Sequence, residues 1–175
     1  KPAFIVMGME TEGTFSELII GSIATDVIRK TKTPIILVPE KAQFKKIQKI
    51  TLAYDYKLKQ EVNILQPLKE LIITSKAEFY ILNVGKEEPE QDPEKAIAAI
   101  KLEKYFSGVT FTPYFAQSED FTAGVNKFIE LENIDLIAMI PHKHNFLERL
   151  FKESHTKKIA FHANVPLLTL PEIKS

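Results

Sequence analysis

Apolar residues come along this chain in short, dense runs, and between the runs they thin to one or two positions per helical turn. Runs of roughly four to eight residues rich in β-branched and aromatic side chains suit strands buried on both faces, as in a parallel sheet. Ile50–Tyr54 and Glu78–Val84, each bounded by charge, read this way, and so do Pro34–Val38, Asp135–Ile140 and Pro166–Leu170. Val109–Phe115 is a weaker strand of the same kind. Between them, Val62, Leu65, Leu68 and Ile72 recur at helical spacing, and Pro67 inside that stripe demands either a kink or a late start. Asp92 followed by Pro93 supplies the N-cap and first-turn residues of a second helix. Phe121, Val125, Phe128 and Ile129 give the i, i+4, i+7, i+8 rhythm of a third, which runs to Glu132 and leads into the strand at Asp135. Strand and helix alternate from about residue 49 to residue 170 as β-α-β-α-β-α-β-α-β, for which right-handed crossovers to a parallel sheet are the expected solution.

The first forty residues match the last forty without gaps at a constant offset of 132. Pro34 meets Pro166, Met7 meets Met139, Leu18 meets Leu150, Ser22 meets Ser154, Pro39 meets Pro171 and Glu40 meets Glu172, while Ile5/Ile137 and Ile35/Leu167 keep their apolar character. The repeated segment is a buried strand, a loop, an amphipathic helix and a second buried strand, the closing β-α-β of a larger unit. On this reading residues 1–40 are the end of a first domain, 41–48 a linker and 49–175 a complete second domain. The counterparts of Lys49–Asn133 in the first domain are then expected ahead of residue 1 of a longer protein.

Composition narrows the function classes. The 23 basic and 23 acidic residues cancel, so no overall field recruits nucleic acid or an anionic membrane. The longest apolar runs fall far short of the roughly 20 residues that span a bilayer. With no cysteine there is no disulfide framework, thiol nucleophile or thiolate zinc site, which suits a reducing compartment, and the chain is read as cytoplasmic.

The segment FIVMGMETEGTFSELIIGSIATDVIRKTKTPIILVPE, residues 4–40, resembles the closing segment of a universal stress protein. So does IDLIAMIPHKHNFLERLFKESHTKKIAFHANVPLLTLP, which with the opening ITLAYD aligns over a complete domain of that family. The resemblance covers nearly the whole chain. It implies a flavodoxin-like α/β fold, a parallel five-stranded sheet of order 3-2-1-4-5 with helices on both faces, plus a β-α-β fragment of a second copy. It also implies a cytoplasmic dimer or tandem pair, with or without bound ATP.

The family's nucleotide motif is Gly, two residues, Gly, nine residues, Gly, then Ser or Thr. In the first copy these positions are Gly8, Thr11, Gly21 and Ser22. A glycine at the carboxyl end of a strand lets the backbone approach a phosphate, and a helix N-terminus offers free N–H groups and a favourable dipole. Thr11 departs from the pattern, and Glu10 and Glu12 set two carboxylates beside the loop, where they would repel a polyphosphate unless a metal or lysine intervened. A tight turn and close helix packing are the plain alternative for Gly8 and Gly21. In the second copy the same positions are Ile140, Lys143, Glu153 and Ser154, so no ATP or AMP is expected there in the family's manner. Asp55 matches the family's acidic residue at the end of its first strand; retained ligand contact and simple turn cap stay open for it. The resemblance thus implies ATP or AMP in the first domain, and admits Mg²⁺ with it.

Other chemistry finds little support. His142 and His144 sit in a polar stretch, and His155 and His162 are two helical turns apart, roughly 10 Å of rise, too far to share one ion directly. Lys143, Arg149, Lys152, Lys157 and Lys158 form a basic stretch that Glu148 and Glu153 interrupt, as on a solvated helix face. Ser16, Ser22 and Ser154 lack the setting of a hydrolase nucleophile, so no catalytic residues are assigned, and at most slow ATP hydrolysis is expected. Two functions follow: a nucleotide-responsive stress protein with a degenerate second domain, or a module that binds no nucleotide and acts through protein contacts. In either, the strands Pro34–Val38 and Pro166–Leu170 are expected to join two domains of one chain, or two chains, edge to edge and antiparallel about a two-fold axis.

Overall fold

Capping residues and prolines set the limits of the elements. The computed structural model describes residues 2–9, 22–43, 45–56, 62–88, 92–141 and 164–171. Pro67 forces the late start: residues Val62–Leu65 form a 3-10 turn, and helix α2 (Gln66–Ser75) begins with the proline in its first turn, where its missing N–H has no partner to lose. Helix α3 (Pro93–Tyr105) is capped by Asp92, whose side chain accepts from the Glu94 and Lys95 amides. At its other end Lys69 Nζ donates to the Tyr105 carbonyl at 2.7 Å, a cation where the helix dipole favours one. Helix α4 (Phe121–Glu132) opens on the Asp120 side chain and closes with Asn133 in the left-handed conformation. Helix α1 spans Ser22–Lys30.

The strands are β1 (Ile5–Met9), β2 (Ile35–Pro39), β3 (Lys49–Ala53), β4 (Glu78–Gly85), β5 (Thr112–Gln117), β6 (Leu136–Met139) and β7 (Leu167–Thr169). The largest departure from the apolar pattern is β5, which starts at Thr112 and not at Val109. Gly108 turns the chain with φ +85° after α3, and Val109 and Phe111 spend their apolar surface sealing Phe79 and Phe106 beneath that helix instead of pairing. The helix expected between β6 and β7 lies outside the described residues.

All seven strands join one sheet in the order β1-β2-β7-β6-β3-β4-β5. From β3 to β7 every described contact is parallel, and counting β3 as the first strand the order is 3-2-1-4-5, the flavodoxin-like arrangement. Strands β1 and β2 are parallel to each other and extend this sheet through an antiparallel contact between β2 and β7. That contact pairs Ile35 with Thr169, Ile36 with Leu168 and Leu37 with Leu167. Its central pair, Ile36 and Leu168, stands 132 residues apart in sequence. Thr169 Oγ1 donates to the Ile35 carbonyl at 3.3 Å across the same contact.

Alternating strand residues feed two cores. On one face the 3-10 turn, α2, α3 and the residue after it deliver Leu65, Leu68, Ile72, Leu102 and Phe106 onto Ile50, Leu52, Phe79, Ile81, Ala138 and Leu168. On the other, Ala24 of α1 and Val125, Phe128 and Ile129 of α4 cover Ile35, Leu37, Leu82, Ile137, Met139 and Leu167. Each such aliphatic side chain removed from water contributes about 2–3 kcal/mol before entropy is charged against it. Among the described residues no helix is long and apolar enough to cross a membrane.

Because β2 runs against β7, the carboxyl ends of β1 and β2 lie on the opposite edge of the sheet from those of β3, β4, β5, β6 and β7. The chain leaving β2 at Pro39 therefore needs no crossover to enter β3 at Lys49.

Candidate functional site

In open α/β sheets a ligand sits beyond the carboxyl ends of the strands, and two such ends concern this chain. The first is the end of β1. Ile5, Met7 and Met9 turn toward α1 and the core it helps to cover, so Val6 and Gly8 occupy the opposite face. Val6 is 65% exposed and Gly8 is exposed as well. Gly8 lies opposite Val38 in β2, without a positive φ, and a Cβ built on it meets nothing within 4 Å among the described residues. Gly124 in α4 shows what a packing glycine looks like: a Cβ there falls 2.5 Å from Val84 Cγ1. Among the described residues Gly8 therefore meets neither of the local needs that select glycine, a positive φ or a crowded neighbour. Ser22 is the first residue of α1 as described; Thr11 and Gly21 lie outside the described residues.

The second end lies between β3 and β6, where the strand order reverses. Here the space is filled. Ile140 is 3% exposed and packs in one cluster with Tyr54, Tyr56, Ile64, Leu65 and Leu170. The two tyrosine rings meet edge to face, 5.4 Å between centroids at 74°. Burial pushes the Tyr54 hydroxyl up from its ordinary value, and the Asp55 carboxylate beside it adds to the rise. Asn83, buried in β4, donates its Nδ2 to the Tyr54 carbonyl at 2.9 Å, while the Tyr54 amide donates to the Leu82 carbonyl at the same distance. Both backbone groups of the residue before Asp55 are thus held. Asp55 itself is exposed. It stands on the edge opposite Gly8, so the two cannot touch one ligand molecule. Among the described residues, Ile140 and its tyrosine neighbours present packed side chains at this end.

One further charged site escaped sequence reasoning, which used Asp135 only as a strand boundary. Asp135 is buried ahead of β6, and its Oδ2 accepts from the Gln48 and Lys49 amides at 2.8 and 2.9 Å while Oδ1 meets Lys45 Nζ at 2.5 Å. Burial works against its charge, yet the Lys45 ammonium and the two amides outweigh that and hold its carboxyl below the usual range. The signal was present as an aspartate directly before a fully buried apolar strand. Its work is structural, fixing residues 45–49 to the start of β6. Among the described residues no three His, Asp or Glu side chains gather as a metal site. The histidines and basic residues of the stretch 142–162 lie outside the described residues.

Neither a protein-family model nor a curated protein matches the sequence. Solved structures do. A universal stress protein from Archaeoglobus fulgidus DSM 4304 superposes with a TM-score of 0.66 at 15% identity, over 97% of this chain and 61% of its own. A putative universal stress protein from Pseudomonas aeruginosa UCBPP-PA14 does so with a TM-score of 0.62 at 10% identity, over 97% of this chain and 63% of its own. This chain spans about three-fifths of the length of those proteins. Its strand order, its two-faced helix layers and this likeness agree: the fold of the chain is that of the universal stress proteins.

Proposed function

We propose that this protein is a nucleotide-responsive regulatory protein of the universal stress type, made of two units of one repeat and working in the cytoplasm. Residues 1–40 close the first unit and hold ATP or AMP; residues 49–175 are the second, degenerate unit and serve as its structural partner; residues 41–48 link them. The observation that carries this reading is Gly8, an exposed glycine at the carboxyl end of a strand with nothing among the described residues within 4 Å of its Cβ position. The described residues make no local use of that glycine, whereas a phosphate approaching the backbone does. Gly8 and the loop through Thr11 would admit the phosphates, Gly21 would keep the loop's return to α1 bare, and Ser22 would add a hydroxyl donor. Mg²⁺ would offset Glu10 and Glu12. The position of Ile140, 132 residues after Gly8, supports silence of the second unit, and Asp55 then serves the turn after β3 and no ligand.

Calorimetry of the protein with ATP and Mg²⁺ tests this. Binding that Gly21→Glu abolishes, with the circular dichroism unchanged, is the expected result; an affinity indifferent to Gly21→Glu removes the loop from the site. The antiparallel contact of β2 with β7 favours a second reading, a pair of units that acts through protein contacts alone. No heat with ATP, AMP or either with Mg²⁺ would select it.

A further inference from the structure

Helix α3 is apolar on two opposite sides, and only one of them meets the core. On the inner side Leu102 is buried, and Ala98, Ala99 and Tyr105 pack partly into the cluster around Phe79 and Phe106. Pro93, Ile97, Ile100 and Lys104 follow one another at i, i+4, i+7 and i+11, a stripe that helical geometry sets on the side away from Leu102. All four are exposed, Ile97 by 56% and Ile100 by 64%. A helix that is apolar all round is ordinarily covered all round. Exposed apolar residues scattered singly need no explanation, but these are not scattered: of the six large ones exposed among the described residues, Ile73, Ile97 and Ile100 stand on the one layer formed by α2 and α3.

The charges that flank this stripe are sorted by end. Glu94 stands in the first turn, Lys101 and Lys104 stand near the close of the helix, and all three are exposed. None has an opposite charge three or four residues away along the chain, and none joins an ion pair among the described residues. The helix dipole accounts for an acid at the start and a base at the end, but it gives no reason for two isoleucines between them. Turned end over end against itself, the stripe is complementary. A two-fold axis midway between Ile97 and Ala98 sets Glu94 of each copy against Lys101 of the other, with the isoleucines meeting between the two pairs. A parallel arrangement would instead put acid on acid and base on base.

We infer that the outer face of α3 is an interface between two copies of this chain, which pack their α3 helices antiparallel about a two-fold axis. Ile97 and Ile100 of both copies form its apolar centre, and the two Glu94–Lys101 pairs fix its direction. The occupant is a second copy because the acidic and basic ends of one face match each other, which is what a two-fold contact requires of a surface and what a foreign partner does not. This surface is separate from the contact of β2 with β7, which the chain makes within itself, and it involves neither Gly8 nor a nucleotide. The 13 residues of α3 span roughly 20 Å. A single pair of such helices offers less than the roughly 800 Å² per partner of a stable complex, so a dissociation constant of about 10–100 μM is expected.

Sedimentation equilibrium of the 175-residue chain between about 1 and about 300 μM, without nucleotide, tests this. The average mass is expected to rise from that of one chain toward that of two. Ile97→Asp and Ile100→Asp, each at an exposed position, are expected to keep the circular dichroism of the parent and to remain monomeric throughout. Glu94→Lys turns two attractions into two repulsions and is expected to weaken the dimer at least about tenfold; Lys101→Glu added to the same chain exchanges the signs and is expected to restore it to within about threefold. A parent that is monomeric at about 300 μM overturns the interface. So does a dimer that both aspartate variants leave intact, which would place the contact on another surface. A dimer that Ile97→Asp abolishes but Glu94→Lys leaves unchanged overturns the antiparallel pairing. If an aspartate variant does not fold, Ile97→Thr combined with Ile100→Thr is read in the same way, with monomer expected and an undiminished dimer overturning the interface.

Discussion

The ends of β1 and β6 stand in sequences that match without a gap, in strands of the same sheet, and they differ in nearly every physical respect. At the end of β6 an isoleucine, two tyrosines and a leucine close the space, and a buried asparagine ties down the neighbouring carbonyl. At the end of β1 a glycine faces outward with no described residue near its Cβ position. The lesson is that similar strands do not imply similar sites. Strand and core positions tolerate exchange among apolar residues, so Ile5 and Ile137, or Ile35 and Leu167, remain interchangeable in kind. A ligand position depends instead on what is missing from one residue, and a single side chain closes it.

The comparison breaks first where a charge is forced into it. Ala138→Asp puts a carboxylate among fully buried apolar residues and is expected to cost about 5 kcal/mol, enough to unfold a marginal domain, whereas Val6→Asp at the matching position is expected to stay within about 0.5 kcal/mol. Urea denaturation of the two variants checks this, and a Val6→Asp loss as large as that of Ala138→Asp would mean that the β1 face is already covered. Exchanging the two end residues is the next test. Ile140→Gly removes a buried side chain and is expected to cost about 4 kcal/mol. Gly8→Ile, with open space to fill, is expected to leave stability within about 0.5 kcal/mol while ATP binding, if Gly8 faces the phosphate, falls by more than about tenfold.

Asp135 sharpens the comparison in another way, since it ties residues 45–49 to the β6 side of the molecule. Its folded pKa is depressed, so its contribution is present above the ordinary carboxylate range and is lost as pH falls through the depressed value. Asp135→Asn is expected to cost about 2 kcal/mol at neutral pH, and the gap between variant and parent should close below roughly pH 4. A constant gap from pH 7 to pH 3 in guanidinium titrations would deny the carboxylate that role. The smallest effect is at the β2–β7 contact, where Thr169→Val removes the hydroxyl bond to Ile35 and is expected to cost about 0.5–1 kcal/mol in the same titrations.

Much of this architecture is legible along the chain because buried strands and capped helices write their periods and their end residues into sequence. Asp92, Asp120 and the late helix start at Pro67 are of that kind, since each acts on amides within a few residues of itself. Val109 misled because apolar character records burial and not pairing, and Val109 is half-buried under α3 without belonging to a ladder. The Asp135 clamp joins groups 86 and 87 residues apart, and no local pattern announces such a bond. Nothing beside Gly8 or Asp55 says that they occupy opposite edges; that follows from the direction of β2 against β7, a property of the assembled sheet. The openness around Gly8 was equally invisible, because a glycine chosen for space and a glycine chosen for conformation are spelled alike.

The contact between β2 and β7 is three residue pairs long, as is that of β6 with β7, against five for β1 with β2 and six for β4 with β5. A sheet behaves mechanically like a row of planks whose joints differ in length, and this joint is a short one that also reverses strand direction. A twist imposed on β1 and β2, whether by a ligand, a neighbouring segment or an applied force, reaches the parallel strands through Ile35, Ile36, Leu37 and their partners, through the residues packed over them and through the chain from Pro39 to Lys49. Slippage there by one residue would turn Ile35 and Leu37 from a buried face to the other side of the sheet, so the joint resists sliding far better than it resists hinging.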